Sequence, residues 1–354
     1  MIVNQWIPAA HRGDAVGDSA RLMRSMLRAD GHESEVYSLT VDDDLAGDVL
    51  AWSDAATKRA DVTIYHYALP SPLSAPFARL SSGRVLLYHN ITPARFFAPY
   101  DADVFALARA GREELRSLAG VPDAALGVSE FNRAELEEMG FRGTGVLPLA
   151  VDLARLTGAP DRPAVRKTLT DDWANILFVG RIVPNKKIED HIFLAEHYKR
   201  YVDERYRFVF VGRTDVMPAY YAMVRALMAQ FRMRPERFVF TGPLPDADLA
   251  AVYRASHAYV SLSEHEGFCA PLAEAMAMDV PVLAYAAGAV PETLGGAGLM
   301  FTAKDYEPAA ELLGQVIYDE TLRRRVIEGQ RARLPHFSAD RVERGLRSLV
   351  SRFS

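Results

Sequence analysis

The 354-residue sequence predicts an α/β protein made of two doubly wound lobes. Three observations carry that expectation. Short β-branched or aliphatic runs alternate with longer amphipathic stretches, as parallel strands alternate with the helices that cover them. The alternation is interrupted over 152–172, a stretch with prolines, charges and little hydrophobic periodicity that reads as a linker. The length also exceeds what one ordinary core serves and fits about two domains of roughly 150 to 200 residues.

In the first half, strands are expected at 2–4, 34–38, 62–66 (VTIYH), 85–89 (VLLYH), 125–128 (ALGV) and 145–147. Apolar residues at helical spacing fall between them over 18–28 and 104–118. The second half repeats the scheme, with strands at 175–179 (NILFV), 208–211 (FVFV), 238–241 (FVFT), 258–261 (AYVS), 282–284 and 299–301. Helices are expected over 188–200, 219–231, 246–255, 271–278 and 307–333, and a last one over 338–353. The resulting division is 1–155 for the first domain and 156–335 for the second. The closing helix, 336–354, is expected to cross back to the first.

Composition narrows the function classes. The 49% apolar and 25% charged residues are those of a soluble folded chain, and a net charge of -5 lacks the basic excess that a nucleic-acid partner requires. One cysteine, Cys269, leaves no intrachain disulfide framework and no multi-cysteine metal site. The N-terminus lacks the pattern of a signal peptide, and no run approaches the about 18 apolar residues of a membrane span. A cytoplasmic protein is expected, with peripheral contact at the inner membrane face left open.

In open parallel sheets, ligands bind beyond the carboxyl ends of the strands. Those positions hold Gly180-Arg181, Gly212-Arg213, Gly242-Pro243 and the run from Leu262 to Gly267. Glycine lets backbone approach a ligand closely, so four such turns in one lobe suggest a shared mouth. In EGFCAPLAEAMA, residues 266–277, Pro271 suits a first helical position and Ala270 is a poor cap. Backbone N–H groups there remain open to an anion, and the helix dipole favours a phosphate. Glu266 and Glu274 either edge this pocket as acceptors for sugar hydroxyls, or serve only as a solvated carboxylate and a helix-end charge. In GRIVPNKK, 180–187, Arg181 and Lys186 flank a turn at Pro184-Asn185 and would neutralise a diphosphate; a solvated basic loop is the alternative.

Together these segments resemble the donor domain of the retaining glycosyltransferases of family 4, which have the GT-B fold. That family carries two glutamates with seven residues between them, matched by Glu266 and Glu274, and a Gly-Arg-x4-Lys turn, matched by VGRIVPNKKIED. The likeness runs over about 176–301. GDAVGDSARLMRSMLRADGHESEVYS, YHNITPARFF and VLPLAVDLARL extend it to most of the chain, towards a polysaccharide-biosynthesis branch.

The resemblance implies two Rossmann-like domains facing each other across a cleft. It implies diphosphate contacts for Arg181 and Lys186, and ribose contacts for Glu274. Donor-sugar contacts fall to Glu266 and the backbone of Gly267, Phe268 and Cys269. His89, ending a first-lobe strand, corresponds to a histidine near the reacting sugar, and His66 takes a weaker acceptor-side role. Gly17, Gly180, Gly212, Gly242 and Leu272 complete the donor-binding set, with Gly17 opening the helix over 18–28. Many relatives have a Gly-Gly pair where this chain reads Ala15-Val16-Gly17, which weakens direct phosphate contact there.

The implied activity is transfer of a hexose, with retention, from a nucleoside diphosphate sugar of the GDP-mannose or UDP-glucose type to a hydroxyl of a saccharide or lipid-linked acceptor. No cofactor and no metal is expected, since no Asp-x-Asp motif follows a strand. Arg181, Lys186 and the helix N-terminus would stabilise the departing diphosphate. An epimerase of the same fold and a non-catalytic nucleotide-sugar-binding protein are the competing readings; a phosphorylase is disfavoured by the short chain.

Overall fold

A computed structural model describes residues 1–11, 13–53, 57 and 59–354. The chain divides into two compact units. One comprises Met1–Arg95, Ala102–Val151 and His336–Ser354, the other Phe96–Asp101 and Asp152–Pro335.

The first unit has strands β1 (Val3–Ala10), β2 (Val36–Val41), β3 (Leu50–Ala51), β4 (Val62–Tyr67), β5 (Gly83–Tyr88), β6 (Ala124–Gly127) and β7 (Gly145–Val146). They form one parallel sheet in the order β3-β2-β1-β4-β5-β6-β7. Its helices before the second unit are α1 (Ala15–Ala29), α2 (Ser74–Ala78), α3 (Ala102–Ser117) and α4 (Glu130–Glu138). The central strands are covered on both faces, so Trp6, Ile7, Ile64, Tyr65, Tyr67, Leu87 and Tyr88 are all buried.

β1 runs to Ala10, well past the expected 2–4. Asn4 and Gln5 look like a polar end in sequence, yet both are buried with partners: Asn4 Oδ1 accepts from Glu35 N at 3.1 Å, and Gln5 donates to the Ala20 carbonyl. α1 begins at Ala15 because Asp14 caps it, accepting from Gly17 N at 3.1 Å. Gly17 therefore lies within the first turn and does not open the helix. α4 was hidden by its short, charged sequence; Ser129 caps it by accepting from Asn132 N at 3.1 Å.

The second unit opens with α5 (Ala154–Thr157) and α6 (Pro163–Lys167), then β8 (Ala174–Val179), α7 (Ile188–Tyr201), β9 (Tyr206–Val211), α8 (Pro218–Gln230), β10 (Phe238–Gly242), α9 (Asp246–Arg254) and β11 (Ala258–Ser261). α10 (Ala270–Ala277), β12 (Val282–Tyr285), α11 (Val290–Leu294), β13 (Leu299–Phe301), α12 (Tyr306–Tyr318) and α13 (Glu320–Arg333) complete it. The sheet is parallel, ordered β10-β9-β8-β11-β12-β13. The order reverses between β8 and β11, and that switch point is where ligands enter such sheets.

The stretch expected as a linker instead folds onto the second unit. Arg162 bonds Asp248 at 2.7 Å, Arg254 donates to the Ala159 carbonyl at 3.0 Å, and Arg155 pairs with Asp246. Ion pairs and carbonyl contacts leave no hydrophobic period to read. The expected helix over 307–333 is two helices, because Asp319 turns the chain and accepts from Thr321 N at 2.8 Å and Leu322 N at 3.0 Å. The last helix, α14 (Ala339–Val350), belongs to the first unit, where Val342, Leu346, Leu349 and Val350 are buried and Arg347 bonds Asp30 at 2.8 Å. Among the described residues, no helix is long and apolar enough to cross a membrane.

Candidate functional site

The carboxyl ends of β8, β9 and β10 are laced together through their turns. Gly180 N donates to Val211 O at 2.9 Å, Ile182 N to Arg213 O at 3.0 Å, and Gly212 N to Gly242 O at 3.0 Å. Gly212 has φ +146°, and a Cβ built there would lie 2.1 Å from Gly180 O. Only glycine permits this approach. Arg181 follows on the exposed side of the β8 turn and has no ion pair among the described residues.

Beyond that turn, Pro184–Lys186 forms a single 3₁₀ turn fastened to the loop after β11. Buried Asn185 donates from Nδ2 to His265 O at 3.0 Å, and its carbonyl accepts from Glu264 N at 2.8 Å. This clamp sets Lys186 Nζ 2.6 Å from Glu266 Oε1. The Glu266 carbonyl is held from behind by Ala289 N at 2.9 Å, under Gly288 with φ +56°, where a Cβ would come within 2.4 Å of that same oxygen. Sequence reasoning placed Asn185 only in a turn, without its clamp contacts, and missed Gly288. The rule that found the other strand-end glycines also reaches Gly288, three residues beyond β12.

α10 begins at Ala270 with Cys269 as its N-cap in the left-handed region (φ 68°, ψ 65°) and no side chain capping it. That leaves the uncapped helix start expected from the sequence, one residue earlier. Leu272 is fully buried and its N–H is engaged by Cys269 O at 3.0 Å, so Leu272 acts here by packing. The Phe268 carbonyl accepts from Thr293 Oγ1 at 2.5 Å, and Gly267 and Phe268 are partly exposed. Burial pushes the Cys269 thiol well up, and the Glu266 carboxylate adds to the rise, so it is not a ready nucleophile.

Glu274 lies inside α10 and is 5% exposed. Its Oε1 pairs with Arg155 and its Oε2 accepts from Tyr253 Oη at 2.9 Å. Burial raises its pKa while Arg155 and Tyr253 oppose the rise. Arg155 comes from the segment expected as a linker. Its signal in the sequence is its place in VLPLAVDLARL.

Three of the expected residues, Gly17, His66 and His89, lie in the first unit. Gly17 N–H is already taken by Asp14, so it is not an open phosphate donor. His89 follows β5 and is partly exposed, with its backbone N–H donated to Tyr67 O at 2.9 Å. The next residue, Asn90, turns the chain with φ 85° and donates to Asn132 Oδ1 and Glu135 Oε2, each at 2.8 Å. His66, expected in a weaker acceptor-side role, is fully buried in β4 and lies 2.9 Å from both His89 Nε2 and Gln5 Oε1. Among the described residues, no group of three or more His, Cys, Asp or Glu side chains has an arrangement that holds a metal ion.

Comparison with known proteins bears on the fold and on the family of the second unit. Residues 164–333 match the family described as glycosyl transferases group 1. The serotype-specific mannosyltransferase WbdA of Escherichia coli is 29% identical over 157 residues, 44% of this chain and 19% of that protein. A GDP-mannose-dependent alpha-mannosyltransferase of Mycobacterium tuberculosis is 27% identical over 238 residues, 66% of this chain and 58% of that protein. The chain thus spans about a fifth of the length of WbdA and little more than half of the mycobacterial protein. Among solved structures, Anabaena HepE in complex with UDP-glucose superposes with a TM-score of 0.78 at 14% identity, covering 99% of this chain and 100% of that one, a likeness of fold. The two parallel-sheet units are those of the GT-B fold, and the match to the glycosyl transferases group 1 family lies within the second.

Proposed function

We propose that the protein is a retaining glycosyltransferase that moves a hexose from a nucleoside diphosphate sugar to a saccharide hydroxyl. The observation that carries this reading is the pairing of Lys186 with Glu266 at 2.6 Å, at the strand switch point of a group 1 domain and beside the uncapped start of α10. Lys186, Arg181 and the helix N-terminus suit a diphosphate, whose charge grows as the glycosidic bond breaks. Glu266 then accepts from hydroxyls of the donor sugar, and Glu274 from the ribose. His89 meets the reacting sugar.

In this reading the acceptor oxygen bonds to the anomeric carbon on the face that the diphosphate leaves, and its proton passes to a phosphate oxygen of the leaving group. No side chain need become covalently attached. The mycobacterial relative supports retention, because an alpha-mannoside made from GDP-α-mannose keeps its anomeric configuration. The relatives favour GDP-mannose, and the Anabaena complex keeps UDP-glucose as the second choice. A lipid-linked acceptor at a membrane face and surface-polysaccharide synthesis belong to the same proposal.

The test incubates the purified chain with GDP-mannose or UDP-glucose and a panel of mannosides and glucosides. Transfer to a saccharide with an α linkage is expected, and Glu266→Ala should abolish most of it. Epimerised donor sugar without any acceptor, or donor binding with no turnover on any acceptor, would replace this reading by the epimerase or by the binding protein.

A further inference from the structure

Within the first unit a chain of three side chains links α1 to His89. Gln5 on β1 is fully buried, and its Nε2 donates to the Ala20 carbonyl of α1 at 3.0 Å. A carbonyl can only accept, so the amide orientation is fixed and Gln5 Oε1 faces the other way. That oxygen lies 2.9 Å from His66 Nε2, which must therefore carry the proton. His66 is fully buried in β4, and burial holds it neutral, down to about 3. A neutral imidazole protonated at Nε2 has a bare Nδ1, and His66 Nδ1 sits 2.9 Å from His89 Nε2. The two ring planes are nearly parallel, at 19°, with centroids 5.0 Å apart. His89 Nε2 must then be the donor.

We propose that Gln5 and His66 are positioning residues that hold His89 as its Nε2–H tautomer, so that its bare Nδ1 accepts a hydrogen bond from a hydroxyl of the sugar substrate. The proposal rests on the reading of His89 as a sugar contact. His89 Nδ1 has no hydrogen-bond partner among the described residues, so it remains available for this role. Each link in the chain is directional, beginning at a backbone carbonyl that cannot reverse. The tautomer is set three residues away from the ligand, by an amide that no substrate touches. The two hydrogen bonds of this amide account for a fully buried glutamine in β1.

The experiment is a long-range ¹⁵N–¹H imidazole spectrum of the full chain labelled in its nine histidines, with His89 assigned by its loss in His89→Ala. Neutral Nε2–H signals for both His66 and His89 at pH 7 are expected. Gln5→Leu removes the acceptor of His66 Nε2–H, so His66 should protonate Nδ1 instead and drive His89 to the Nδ1–H form. Gln5→Glu, whose buried acid offers the same donor and acceptor, should restore the wild-type pattern. Transfer by Gln5→Leu should fall about tenfold, the loss of one hydrogen bond, with unchanged affinity for the free nucleoside diphosphate. A wild-type His89 found as Nδ1–H or as a cation would overturn the proposal, as would a Gln5→Leu variant whose His89 tautomer does not move. The wild-type tautomers are read without any Gln5 variant. If the tautomer is wrong while His89→Ala still abolishes transfer, the relay fails and the proposed function stands. If His89→Ala transfers normally, the sugar contact itself is refuted.

Discussion

Replacing Lys186 by Met removes the cation from a pair whose side chains are 18% and 8% exposed. At 2.6 Å and an effective dielectric constant of about 20, the mutual attraction is about 6 kcal/mol, much of it offset by the cost of desolvating two ions. Removing one member alone strands the Glu266 carboxylate, which costs roughly 3 to 5 kcal/mol in a fully buried pair. The exposed end of Lys186 places the expected loss near the lower figure, about 3 kcal/mol. For a domain of this size that lowers the melting temperature by roughly 6 to 12 °C. Lys186→Met/Glu266→Gln, which removes both charges, should recover most of the stability. It should not recover affinity for GDP or UDP, because the phosphate contact is gone in both variants, and loss of a charge-assisted bond weakens binding by roughly 10- to 100-fold. Differential scanning calorimetry and nucleotide titration read the two effects separately. A Lys186→Met variant that melts with the wild type, or a double variant that melts as low as the single, would refute the reasoning.

Glu274→Gln should weaken GDP or UDP binding by roughly tenfold or more, and the loss should disappear with 2′,3′-dideoxy nucleotides if the carboxylate accepts from the ribose hydroxyls; fluorescence titration measures both. Gly212→Ala should destabilise the second unit by about 3 kcal/mol in urea unfolding, since its Cβ would stand 2.1 Å from Gly180 O at a φ reserved for glycine. Burial lowers His66 to about 3 and His191 to about 4 in the folded chain, below the about 6.5 of an unfolded histidine. The unfolded state therefore binds more protons below that value. Stability should be complete above about pH 6.5 and fall by up to about 1.4 kcal/mol per pH unit for each histidine as the pH drops towards 4. Equal urea midpoints at pH 7 and pH 5 would contradict this assignment.

The second sheet was legible because its strands are nearly continuous apolar runs; 258–261 and 299–301 coincide with the observed β11 and β13. The strand-end glycines were legible for a local reason, since close backbone approach leaves glycine no substitute, as at Gly212. What escaped the sequence depends on partners distant along the chain. β1 was cut short because Asn4 and Gln5 look like exposed polar residues until Glu35, Ala20 and His66 are in place. The segment around Arg155 lacked periodicity because charges on α9 and α10 hold it. Asp319 breaks a helix whose period runs through it, since a cap is a hydrogen bond and leaves no apolar trace. For the site, residue types and spacing marked Lys186 and Glu266 as candidates, while their 2.6 Å pairing needed the Asn185 clamp, which no spacing reveals.

The most direct test of the account is calorimetric titration of GDP-mannose and UDP-glucose into the full chain and into Lys186→Met. Saturable binding of one donor, with a dissociation constant between about 1 μM and 1 mM and a loss of roughly 10- to 100-fold in the variant, is the predicted result. Binding that Lys186→Met leaves unchanged, or none of either donor at millimolar concentration by a folded chain, would contradict the claim that this pair forms the diphosphate end of a sugar-donor site.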